Sequence, residues 1–227
     1  MPDLQQLLVL LKDFSWLVEL AGTALVTLVA AYGGAKYAFR LQDRARERET
    51  RGDQRAAVNR AQFALIRQYN MLRNIQKQFV DPIRNHEGRF LAMRPALGLT
   101  EAPKPIDLDS LSFLLETDDR DFPLRLMLEQ ENLDILIRTL QERSRLHLER
   151  AQPKLAAAGI EEGKEYTPAV IIGALGIDLF RQLERITEST ITRVDEGVIS
   201  CRDLIAAFHT AMKQHFPKET IICLGPD

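Results

Sequence analysis

Apolar positions recur with helical spacing along most of the chain, and one stretch departs from that rule by being apolar on every side. It is Phe14 to Ala35, FSWLVELAGTALVTLVAAYGGA, with a single charge at Glu19. Roughly 22 residues at 1.5 Å rise per residue give about 33 Å, enough to cross a hydrocarbon core. Trp16 lies at one end and Tyr32 and Tyr37 at the other, where amphipathic rings prefer the membrane interface. A buried soluble helix would need partners all round, because the segment has no polar face. A cleaved signal peptide would need a basic start, yet Lys12 is outnumbered by Asp3 and Asp13. A membrane span over 14–37 is therefore expected, after a short N-terminal segment, 1–13.

Lys36, Arg40 and Arg44 follow at once, with Arg46 and Arg48. The positive-inside rule places this flank in the cytoplasm and the N-terminus outside, in a bacterial-type inner or plasma membrane. Pro168 to Ile177, PAVIIGALGI, is too short to span, so a single pass is expected. Within the span Thr23, Thr27, Ala30 and Gly34 share a face. Such a strip lets two helices approach closely in lipid. It predicts self-association, or, in a larger ring, a Thr-lined pore.

Beyond the span the polar pattern changes. Lys36, Arg40, Arg44, Arg48, Arg51 and Arg55 form one basic stripe on a continuous helix. Residues 38–57 are read as a basic juxtamembrane stalk. Only its first charges are close enough to a membrane surface to feel anionic lipid, since the field fades within a Debye length of about 8 Å. From residue 58 an apolar seam takes over. Val58, Ala61, Leu65, Gln68, Leu72, Ile75 and Phe79 alternate spacings of three and four, a coiled-coil-like heptad pattern. Phe63, Ile66 and Tyr69 widen it into the face of a bundle helix. Gln68 is either a register-setting polar residue between chains or a tolerated one. Asp81-Pro82 ends the segment.

The remaining pattern predicts a helical bundle over 58–217 and a tail over 218–227. A short helix and turn are expected in His86 to Gly98, a loop at Leu99 to Pro105, and a short helix in Ile106 to Glu116 capped by Asp107 or Asp109. Asp121 and Pro123 open the next long helix, with Leu126, Leu133, Ile137, Leu140 and His147 on its inner face and its end near Arg150. Thr167-Pro168 opens the last, which keeps helical spacing to Phe216-Pro217. Unbroken, it would be about 70 Å long, so a bend or close crossing is expected around Thr187 to Gly197, where small residues gather. ETIICLG near the C-terminus is the one strand candidate. The fold class is all-α: one transmembrane helix, a stalk helix and an elongated antiparallel bundle.

Charge sharpens the division. Residues 36–80 carry eleven Lys and Arg against four acids, while the chain as a whole has a net charge of -2. The start is near neutral, the middle basic and the rest acidic. The stripe lacks interleaved aromatics and the pI is about 6.1, so no nucleic-acid partner is expected. Two cysteines, Cys201 and Cys223, suggest no disulfide framework.

Chemistry is sparse. His86, His147, His209 and His215 show no i, i+4 pair, and His86-Glu87 lacks the second His of H-E-x-x-H. His147 is expected to be a satisfied residue at the edge of the core. GALG, Gly173 to Gly176, lacks the Lys-Ser/Thr of a phosphate loop and is better explained by close helix packing. Asp118, Asp119 and Asp121 have turn and cap roles. No catalytic residue, cofactor or metal is expected, and no enzymatic activity. The expected partners are the lipid bilayer, a second copy of the chain and another protein. The sequence favours a membrane-anchored, oligomeric helical interaction or scaffold protein. A pore-forming or membrane-perturbing effector gated by the bundle is the alternative, motivated by Thr23, Thr27 and Glu19.

Overall fold

In the computed structural model the described residues are 4–96, 98, 103–161 and 164–223, with side chains described from residue 19 onward. All regular structure among them is helical. The strand candidate near the C-terminus is not a strand over its described residues. The chain divides into two units, Met1–Asp53 and Gln54–Asp227. Helix α1, Leu4–Ile75, supplies the helical structure of the first unit and the first long helix of the second.

In the first unit every residue from Glu19 to Arg51 is exposed. Thr23 Oγ1 donates to Glu19 O and Thr27 Oγ1 to Thr23 O, both at 2.8 Å. Each hydroxyl is satisfied within its own helix, as suits a polar group on an apolar surface. Among the described residues no helix is long and apolar enough to cross a membrane. The span expected over 14–37 is thus not supported by them; the side chains of Phe14 to Val18, its first turn, lie outside the described residues. Gly52 to Gln54 stays helical, so the glycine does not interrupt the stalk.

The second unit is built on three long helices: the end of α1, α3 (Phe122–Leu146) and α6 (Ile177–His215). Between them lie α2 (Arg89–Ala92), α4 (Gln152–Ala157) and α5 (Pro168–Leu175). Buried seam residues of α1 meet α6 in reverse order. Gln62 Nε2 donates to Ile205 O at 3.1 Å, and the Cys201 thiol approaches Leu65 O at 3.6 Å. Further along, a side chain at Gly197 would lie 3.3 Å from Leu72 Cδ2. α3 is also antiparallel to α6: Phe122 packs beside Phe208, with ring centroids 5.3 Å apart, Glu129 bonds Ser200, and Arg143 reaches Thr187.

α1 and α3 therefore run the same way, where an antiparallel succession is expected from sequence. The reason is the connection. Residues 81–121 contain Pro82, Pro95, Pro103 and Pro105, which prevent a long helix. This strap instead returns along the bundle. Ala96 N donates to Ser144 Oγ at 2.9 Å, Ile106 N to Gln130 Oε1 at 2.8 Å, and Asp119 Oδ2 lies 2.7 Å from His215 Nε2. Part of it is an eight-residue 3-10 helix, Asp109–Glu116, burying Leu111 and Leu114, and Asp107 Oδ1 accepts Ser110 N at 3.3 Å at its start.

Several boundaries differ from expectation for local reasons. α1 passes into a π-helical turn, Gln76–Val80, before Asp81–Ile83 closes it. α3 likewise ends in a π-helical turn, His147–Ala151, and Pro153 then sits in the first turn of α4. Neither Asp121 nor Thr167 makes a side-chain cap bond, although a proline follows each as expected. The last long helix is broken at Gly176, with φ 80° and ψ 149°, and α6 is then continuous through Thr187 to Gly197. Nothing lies within 4 Å of a side chain built at Gly173 or Gly176. Backbone conformation, not close packing, is what Gly176 supplies. The small residue that does admit a close crossing is Gly197.

Two apolar cores result. The larger joins α1, the strap, α3 and α6. The smaller gathers Phe90, Leu146, Ala151, Ile171, Leu175, Leu179 and Leu183 around the start of α6. The tail is not separate from the bundle in its described portion. Asn59 grips its backbone, donating to Thr220 O at 3.3 Å and accepting Ile222 N at 2.9 Å, while Arg55 pairs with Glu219 at 3.1 Å.

Candidate functional site

Two regions stand apart from ordinary bundle packing. The first is the exposed apolar length of α1. Leu20, Leu25, Val26, Leu28, Val29 and Tyr32 are all exposed, Leu28 at 71%. At 3.6 residues per turn they spread over about 240° of the helix circumference, the rest being the small-residue strip, so no single neighbour on one face could cover them. Tyr37, Phe39 and Leu41 carry apolar exposure into the basic stripe, where Lys36, Arg40 and Arg44 are exposed too. Of the residues expected at the membrane interface, Tyr32, Lys36, Tyr37, Arg40 and Arg44 are thus open to the surroundings. Trp16 lies outside the residues whose side chains are described. Thr23, Thr27, Ala30 and Gly34 are exposed, and a side chain added at Gly34 would meet nothing within 4 Å.

The seam residues have a different fate. Val58, Ala61, Leu65, Gln68, Leu72 and Ile75 are buried and Phe79 is half-buried. This seam is consumed within the chain, against α6, and is not free to form a coiled coil with a second copy. Gln68 is 1% exposed, and neither atom of its amide has a hydrogen-bond partner. It is a polar defect in the core.

The second region is polar and internal. The guanidinium of Arg143 is held where α3, the strap and α6 meet, and the residue is 0% exposed. Its Nη2 donates to Phe90 O at 2.9 Å, and its Nε reaches Thr187 Oγ1 at 3.5 Å. Nη1 has no partner. No carboxylate offsets the charge, and burial alone pushes the Arg143 pKa down to about 10, still protonated at neutral pH. One turn on, His147 is 8% exposed and its Nδ1 is also unpartnered, contrary to the satisfied histidine expected there. Burial, and then the nearby Arg143 charge, lower its pKa to about 4, so it is neutral at neutral pH. Ser144 between them is occupied, donating to Leu140 O at 2.7 Å and accepting Ala96 N.

A lone buried cation is costly, because desolvation is repaid only by a counter-charge or full hydrogen bonding. Sequence spacing did not expose it. QERSRLHLER reads as the charged end of the long helix, with only His147 assigned to the inner face. The signal was the register: Arg143 lies three residues after Leu140 and four before His147, on the inner face.

Ion pairs tie the strap to α6 beside this cluster. Arg89 forks onto both carboxylate oxygens of Glu188. Arg84 does the same with Asp195, at 2.7 and 2.8 Å, and Gln76 joins Asp195 at 2.8 Å. The Arg84 bonds hold the Asp195 carboxyl below the usual carboxylate range. Cys201 is a buried thiol pushed up to about 12 chiefly by burial, which makes it a poor nucleophile. Cys223 is exposed and free. Among the described residues no group of three or more His, Cys, Asp and Glu is placed to hold a metal.

No known protein family, curated protein or solved structure matches this chain.

Proposed function

We propose that this chain is a single-pass membrane-anchored helical interaction or scaffold protein, with the bundle on the cytoplasmic side and the N-terminus outside. The observation that carries the proposal is the broad apolar exposure of α1 from Leu20 to Tyr32. Burying one Val or Leu side chain is worth about 1.5–3 kcal/mol. Leu20, Leu25, Val26, Leu28 and Val29 together therefore leave on the order of 10 kcal/mol unrealised in water. Lipid covers every face of a helix at once, which a single protein partner does not.

Three features agree with this. The Thr23 and Thr27 hydroxyls are bonded to their own helix. Phe14 to Val18 extends the apolar run on the N-terminal side of Glu19 in the sequence. The first positive charges, Lys36, Arg40 and Arg44, come where a cytoplasmic flank requires them. Self-association through Thr23, Thr27, Ala30 and Gly34 belongs to the same proposal.

Topology tests it. Protease added outside intact spheroplasts should leave the segment from Lys36 onward undigested, and the same protease should digest it once the membrane is opened. Digestion in intact spheroplasts would refute the orientation.

A further inference from the structure

A buried arginine normally ends on a carboxylate, and Arg143 does not. Its three bonding nitrogens are unequally served: Nη2 by the Phe90 carbonyl, Nε weakly by Thr187, and Nη1 by nothing. His147, one turn along α3, has its Nδ1 equally unserved. Two interior nitrogens on one helix face, four residues apart, are without a hydrogen-bond partner, and an oxygen acceptor would satisfy both when the neutral imidazole carries its proton on Nδ1. A planar guanidinium fork with a neighbouring imidazole matches the oxygens of a carboxylate or phosphoryl group.

We propose that Arg143, with His147 beside it, is a receptor for an oxyanion, and that α2 is the cover through which the anion enters. The cover is slight. α2 is four residues long, Arg89–Ala92, preceded by Gly88. Phe90 contributes the carbonyl that occupies Nη2, and its ring packs edge-on against Phe180 with centroids 4.8 Å apart. The Arg89–Glu188 pair fastens this turn to α6, and both its side chains remain partly exposed, so water can compete for it. Lifting α2 would free Nη2, and the two Nη atoms would then present the fork. The bound anion would supply the counter-charge and a partner for Nη1. With α2 in place Glu188 does not fill this role, because both of its oxygens are engaged by Arg89.

The test is thermal unfolding of the full chain in detergent. Inorganic phosphate and acetate would each be titrated against sodium chloride at equal ionic strength. Those two arms separate a phosphoryl preference from a carboxylate one. At least one should raise the melting temperature saturably, as a ligand of the native state does, while chloride does not. Arg143→Gln should raise the half-saturating concentration by about tenfold or more, as loss of about 1.4 kcal/mol or more of binding energy would. Arg145→Gln, on an exposed pair with Glu142, should leave it unchanged. Arg89→Gln combined with Glu188→Gln unfastens the cover without freeing a competing carboxylate, so the competent state is more populated and the half-saturating concentration should fall. No saturable rise above chloride, or an equal rise in Arg143→Gln, would overturn the proposal. Should Arg143→Gln not fold, the Arg89→Gln, Glu188→Gln double variant decides it: an unchanged or higher half-saturating concentration there would overturn it as well.

Discussion

Gln68 and His147 are single polar residues placed where the bundle wants apolar ones, and each has a measurable consequence. A buried unsatisfied polar group costs about 1–3 kcal/mol. Gln68 leaves both ends of its amide unpartnered. Gln68→Leu, which keeps the seam's shape and removes the defect, should raise unfolding stability by about 1–3 kcal/mol in a denaturant titration. Lower stability would mean the amide is satisfied in solution. For His147 the sign follows from which state binds the proton. Its folded pKa is about 4 and its ordinary value 6.5, so between those pH values the unfolded chain holds more protons. Stability should therefore be full above about pH 6.5 and fall as pH drops toward 4, by up to about 3 kcal/mol. His147→Leu should flatten that slope, and a slope unchanged by the substitution would assign it to other groups. The seam around Gln68 was legible because alternating threes and fours report which residues share a face. Arg143 was not, because composition marks it as solvated and only tertiary contact with Phe90 and Thr187 shows otherwise.

The elements were legible where spacing decides them and opaque where one backbone angle does. Helical apolar spacing continues straight through GALGI, and its two glycines alone do not say whether, or at which of them, the helix breaks. Gly176 supplies one by adopting φ 80° with ψ 149°, a combination essentially confined to glycine. Gly176→Ala should destabilise the bundle by about 1–3 kcal/mol, read as a lower melting temperature. A neutral effect would show that α5 and α6 can join as one helix. Gly197 is different in kind. Its conformation is helical, but a Cβ there would press on Leu72 Cδ2 at 3.3 Å. A bulkier Gly197→Leu should force α1 and α6 apart, costing about 1–3 kcal/mol as overpacking does. The close crossing at Gly197 followed from the small residues of the sequence. The parallel course of α1 and α3 did not, because prolines in 81–121 forbid a helix without saying that the strap travels back along the bundle.

For the whole molecule the division of labour between the two units carries the functional proposal. The second unit buries much of its apolar surface in two cores and a docked tail, although scattered large side chains stay exposed, among them Phe63, which the sequence placed on the bundle face, and Leu115, Leu124 and Ile199. The first leaves its own exposed around most of α1. A chain that sequestered the seam from 58 to 75 but displayed Leu25, Val26, Leu28 and Val29 to water would be an aggregation hazard. Lipid removes that conflict. The transition from the all-round apolar run to the basic stripe was readable from composition alone, whereas the pairing of Arg55 and Asn59 with the tail was not, since it joins residues far apart in sequence.

Alkaline carbonate extraction of isolated membranes tests the anchor most directly. The full chain should remain in the membrane pellet. Leu25→Arg combined with Leu28→Arg should move it to the supernatant, because each charge near the middle of a spanning helix costs about 2.5–3.5 kcal/mol. Release of the unaltered chain into the supernatant would contradict the account.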